Sequence, residues 1–201
     1  MKKLVTTAIA AVLLAGAAQQ AQAQAFDKGV MVASLGYGFP NISKTGMEAR
    51  AILGYPFATI DAKRGLGPIH AKFEYGMSRR FGFGLSINHE NSAVDFSEAG
   101  YTYTAKYSST KFNLRSNIHL GNSDRFDPYF GAGIGYGIRA NAGSSTDPNF
   151  KPFDYGASFG FEATAGFRFF VTDNIGLYLE VGPAKGWAQF GLNYKLGGGD
   201  R

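Results

Sequence analysis

Cysteine is absent from the 201 residues. That excludes disulfides, thiolate metal sites and a lipidated N-terminal cysteine, so an exported form of this chain must be held together by its secondary structure alone. Charge is also sparse, at 17% of residues, and the 20 Lys and Arg are scattered among 15 Asp and Glu for a net charge of +5. Two of those cations, Lys2 and Lys3, sit at the extreme N-terminus. With no basic patch left, nucleic-acid binding is not expected. Histidine occurs at His70, His89 and His119 only; these lack the close spacing of a zinc or iron site, and neither a metal nor a cofactor is expected. Beyond residue 25 no apolar run reaches the roughly 20 residues that a membrane-spanning helix needs.

Glycine, at 28 residues, and aromatics, at 15%, are plentiful instead. Glycine is costly in helices and aromatics favour pleated surfaces, so the composition leans towards strands. The first 25 residues have another logic. Lys2 and Lys3 form a positive start, residues 4–16 an apolar stretch, and Ala21-Gln22-Ala23 a small-x-small cleavage site. A signal peptide spanning 1–23 is expected, or 1–25 if Ala23-Gln24-Ala25 is used, followed by one domain over 24–201.

The mature region alternates with period two, the signature of strands with two unlike faces. Ile69, Ala71, Phe73, Tyr75 and Met77 oppose His70, Lys72, Glu74 and Gly76; Phe81, Phe83, Leu85 and Ile87 oppose Gly82, Gly84, Ser86 and Asn88. Similar runs follow over 111–120, 130–140, 158–169, 175–182 and 189–195, and a first strand near 30–39 brings the number to about eight. The polar face is small, rich in Gly, Ser, Asn and Thr, as a narrow interior filled by side chains requires. The apolar face carries Phe, Tyr, Leu and Ile over lengths that suit tilted spanning strands. Connections alternate too: 78–80, 121–128 and 172–174 are short, whereas 40–67, 92–103 and 141–153 are long. Only 183–186 breaks the rule. Short turns on one side and long loops on the other are the habit of outer-membrane barrels.

With the signal peptide and the glycine-interrupted aromatic strands, the stretch Gly166-Phe167-Arg168-Phe169-Phe170-Val171-Thr172-Asp173-Asn174-Ile175-Gly176-Leu177-Tyr178-Leu179-Glu180-Val181-Gly182 resembles the small bacterial outer-membrane β-barrel family that includes OmpA- and OmpX-like proteins. The resemblance covers essentially the mature chain. It implies an all-β, eight-stranded antiparallel up-and-down transmembrane barrel in the bacterial outer membrane, a monomer whose partners are outer-membrane lipids, the barrel-assembly machinery and an unidentified surface ligand. Members commonly end on an aromatic residue read during assembly. Here Tyr194 or Leu196 would serve, ahead of a Gly-rich tail.

Serine hydrolysis needs a serine, a histidine base and an orienting acid within hydrogen-bond reach, and no serine lies in such a setting with these histidines. No enzyme activity is expected. Gly131, Gly133, Gly135 and Gly137 are spaced by two and so share one strand face, unlike a dinucleotide fingerprint that opens a helix. They make room for bulkier side chains opposite. Glu74, Arg115, Arg168, Tyr178 and Glu180 fall on the polar face, with Arg168 opposite Tyr178 and diagonal to Glu180, and are expected to form an interior network closing the lumen. The long loops are expected to present Arg50, Lys63, Arg64, Tyr101, Tyr103 and Lys151 outside. The function expected is structural or surface-interacting, through these loops; the alternative is a narrow porin-like channel for small solutes.

Overall fold

The computed structural model describes residues 25–121, 123–150 and 158–197. The expected signal peptide and Lys151 lie outside them. Eight strands close into one barrel in chain order, every neighbouring pair antiparallel. They are β1 (Met31–Phe39), β2 (Thr59–Gly76), β3 (Phe81–Glu98), β4 (Tyr101–His119), β5 (Phe126–Ser145), β6 (Ser158–Phe170), β7 (Ile175–Val181) and β8 (Ala188–Leu196). One helix, α1 (Ile42–Gly54), lies between β1 and β2. Closure leaves no sheet edge exposed in the barrel, the solution available to a strand protein in hydrocarbon.

The alternating faces explain the wall. Phe81, Phe83, Leu85 and Ile87 of β3, and Ile175, Leu177, Leu179 and Val181 of β7, point out and are exposed. The same is true of Phe112, Leu114, Ile118 and Leu120 on and just after β4. This belt is far larger than the apolar patches of a water-facing monomer. At about 3.3 Å per residue and a tilt of about 40°, residues 112–120 rise about 20 Å, most of the height of a membrane barrel's apolar band.

Above the belt the strands do not end. Of the stretches expected as loops, 92–103 continues β3 and β4, with only Ala99 and Gly100 between them, and 141–145 continues β5, while 151–153 lie outside the described residues. The reason is an inversion of polarity without a change of period. In the extension the outward residues become Asn91, Asp95, Ser97, Thr102, Thr104 and Lys106, while Val94, Phe96, Tyr103, Ala105 and Tyr107 turn inward. Strand continuity survives where lipid gives way to water. The stretch 40–67 likewise contains α1, for which the sequence pattern offered no sustained helical spacing.

The side chain of Asn41 caps α1 by accepting from Lys44 N at 2.9 Å. Met47 and Ala51, four residues apart and so on one face, pack onto the inward apolar cluster of the extension. Phe96 stacks on Tyr103 with centroids 4.8 Å apart, and Tyr55 and Phe150 close on the same tyrosine. The helix therefore roofs one end of the barrel with a small water-type core. At Gly67, where φ is +95°, the register of β2 against β3 shifts between Leu66 and Ile69, a bulge that bends β2 into the extension.

Candidate functional site: the filled lumen

Inside the belt the inward residues assemble into tiers of charge. Nearest the short turns, Glu74 of β2 pairs with Arg168 of β6 and with His119 Nε2 of β4 at 2.8 Å. Asp127 of β5 takes His119 Nδ1 at 2.7 Å and Arg168 at 3.4 Å. Both imidazole nitrogens face carboxylates, which only accept, so the ring carries both protons. The Phe26 ring, 2% exposed, lies flat on His119 with centroids 3.4 Å apart and closes this end.

In the middle tier Arg115 of β4 reaches Glu162 of β6 at 3.3 Å and Glu180 of β7 at 3.1 Å. Glu180 also holds Lys72 at 2.8 Å and accepts from Tyr129 Oη at 2.7 Å and Thr164 Oγ1 at 2.9 Å. Ser86 Oγ donates to Glu162 at 2.9 Å. The cavity between these tiers, lined by Ser34, Lys72, Glu74, Arg115, Asn117 and Arg168 among others, measures about 10 Å³. That is about the space of one water. Gly131, Gly133 and Gly135 clear this room: a Cβ on Gly133 would stand 2.8 Å from Glu162 Oε1.

At the helix end a third tier is smaller. Glu90 of β3 binds Lys185 at 2.9 Å, and Lys185 also donates to the carbonyl of Ser109 at 3.0 Å. Ser43 Oγ, in the first turn of α1, donates to Glu90 at 2.6 Å and ties the roof to the lumen. Burial pushes the Lys185 ammonium down to about 8, with the Glu90 charge pulling the other way.

All five residues expected in the lumen network are buried there. Arg168 does stand opposite Tyr178 in register, but its carboxylates are Glu74 and Asp127, not the diagonal Glu180. Long side chains in a narrow barrel meet across the lumen rather than along one strand pair. Tyr178 contributes its ring, under Lys72 Nζ at 4.8 Å. Lys72, His119, Asp127, Tyr129 and Glu162 also belong to the network. Lys72 and Glu162 were signalled by sharing faces with Glu74 and Arg168, while Asp127 was hidden by reading its segment as a turn.

The residues expected on outer loops separate. Arg50 and Tyr101 are exposed, and Lys63 pairs with Glu48 at 2.8 Å. Arg64 lies in β2. Tyr103 instead is 4% exposed, packed under α1, because it falls on the inward face of the extension.

The family model for the outer membrane protein beta-barrel domain matches residues 8–195. Among solved structures, OprG from Pseudomonas aeruginosa is 15% identical, with a TM-score of 0.49, covering 88% of this chain and 99% of that one. The attachment invasion locus protein Ail of Yersinia pestis is 12% identical, with a TM-score of 0.42, covering 84% and 99%. The N-terminal barrel of Pseudomonas aeruginosa OprF is 13% identical, with a TM-score of 0.38, covering 85% and 98%. No curated protein matches.

Proposed function

The chain belongs to the outer membrane protein beta-barrel domain family, and from that premise we propose a closed barrel of the bacterial outer membrane with a structural or surface-interaction role. The observation that carries the closed reading is the cross-lumen pairing of Glu74, Asp127, Glu162 and Glu180 with Arg168, His119, Arg115 and Lys72. Paired charges filling the bore support a lumen closed to solutes. Barrels of this class turn their longer connections outward, so α1 and the strand extensions form an extracellular cap. Its outer surface offers Arg50, Tyr101, and the strongly exposed Leu53 and Phe57.

Planar-bilayer recording of the purified barrel tests the closed reading. Only brief, small openings are expected; steady, large conductance would support the narrow-channel alternative instead. Surface interaction is tested by cell-attachment assays with a Leu53→Ser/Phe57→Ser double variant that still assembles. Attachment should fall several-fold, and unchanged attachment would remove the cap from the proposal.

A further inference from the structure

The short-turn end of the barrel is closed by a piece of chain that belongs to no strand. Residues 25–30 double back under the mouth before β1 begins at Met31. Gly29, at φ +82°, makes the reversal, and Val30 N donates back to the Asp27 carbonyl at 3.2 Å. Three further backbone bonds tie the piece to the wall. Gly29 N donates to the Gly76 carbonyl and Gly76 N to the Val30 carbonyl, each at 2.8 Å, while Ala25 N donates to the Ser123 carbonyl at 3.0 Å. Ser123 lies in the connection between β4 and β5, and Arg79, in the turn between β2 and β3, holds Asp27 Oδ1 at 3.6 Å. One short segment thus grips two separate turns.

The grip seats Phe26. Its buried ring lies within 9° of parallel on His119, covering the face of an imidazole whose two nitrogens are already taken by Glu74 and Asp127. Position 76 has to be glycine for this: a Cβ there would collide with the Asp27 carbonyl and stand 3.3 Å from the Phe26 ring. The seat distinguishes between the two cleavage positions that the sequence offers. Cleavage after Ala25 would make Phe26 the first residue and turn its amide into an ammonium, one bond from the Cα that carries the buried ring. The mouth already balances His119 and Arg168 against Glu74 and Asp127, so the new charge is a surplus. The Ser123 carbonyl would also lose its donor, and the segment its outermost tie. Cleavage after Ala23 keeps the Ala25 amide and sets the new charge two residues before the ring.

We infer that the bond between Ala23 and Gln24 is the processing site of this chain, and that the segment which then leads the mature protein, seated through Ala25 and Phe26, is a stopper for the periplasmic mouth. The step is a hydrolysis by a peptidase of the signal-cleaving class. Water divides across the peptide bond, its hydroxyl completing the Ala23 carboxyl and its hydrogen the Gln24 amine, so no further reactant is needed. That the stoppered mouth faces the periplasm rests on the orientation proposed above; the choice of bond rests on the seat of Phe26 alone.

Intact-mass measurement of the chain extracted from outer membranes tests the bond. The mass of a chain beginning at Gln24 is expected, with or without cyclisation of that glutamine; a chain beginning at Phe26, or at any other residue, overturns the assignment. The stopper is tested by amide hydrogen exchange on chains refolded in detergent, one beginning at Gln24 and one at Phe26. Exchange at Gly29 and Gly76 should be at least tenfold faster in the shorter chain, and Phe26→Ala in the longer chain should have the same effect, with the belt strands unaltered. Heat-modifiable migration verifies that each barrel is folded. Equal exchange in all three would show that neither the leading residues nor the ring seats the segment, and would overturn the stopper. A mass and a local exchange rate are both independent of whether the barrel conducts.

Discussion

Lys185 enters the lumen from the connection between β7 and β8, and its burial has a consequence that pH exposes. Its ammonium is pushed from the usual 10.5 down to about 8. Between these values the unfolded chain keeps the proton and the folded chain has released it. Stability therefore rises with pH across that window, since the state that binds more protons is the unfolded one. Urea unfolding in vesicles from pH 7.5 to 10.5 should show the wild-type midpoint climbing relative to Lys185→Met. A flat or falling difference would contradict the assignment. Glu90, in contrast, was visible in the sequence only as a neighbour of His89; its partner Lys185 is 95 positions away. No local pattern links residues so far apart, and only the closing of the barrel brings them together.

Among the elements, α1 is the one that the sequence did not disclose. It contains Gly46 and ends at Gly54, and glycine weakens the helical signal. Its apolar face is short, with Met47 and Ala51 as its buried residues. Tertiary packing makes it a helix: the inward Phe96, Tyr103 and Tyr107 supply the surface on which that face closes. Met47→Ala should cost about 2–5 kcal/mol of local packing. The expected readout is faster proteolysis within residues 40–58 with the transmembrane strands still protected; cleavage at the wild-type rate would show that the cap is held otherwise. The strands contrast with this. Their alternation was legible along the belt, because lipid on one side and a narrow bore on the other impose opposite demands on successive residues. It misled at the cap, where the same period carries the opposite polarity.

For the whole molecule, the ion pairs matter because they tie non-adjacent walls. Arg168 on β6 reaches Glu74 on β2 and Asp127 on β5, and Arg115 on β4 reaches Glu180 on β7. Opposite walls are thus joined across the bore as well as around the sheet. Arg168→Met strands two buried carboxylates beside His119. Breaking a buried pair in this way typically costs about 3–5 kcal/mol, and equilibrium unfolding in lipid vesicles should reveal a loss of that order. A change below about 1 kcal/mol, the range of exposed pairs, would show the interior to be hydrated and its charges independent.

The amino-acid sequence by itself determined the class of fold: an eight-stranded barrel whose apolar residues face outward and whose small polar residues face inward. Period two is a local property, repeated in every strand, and survives being read one segment at a time. It also placed Glu74, Arg115, Arg168, Tyr178 and Glu180 on the inner face. The partners, the third tier beneath the cap and the cap itself were decided by tertiary structure. Those contacts depend on barrel closure and on the stagger of strands around it, which determine the side chains that meet across a bore too narrow to leave them apart.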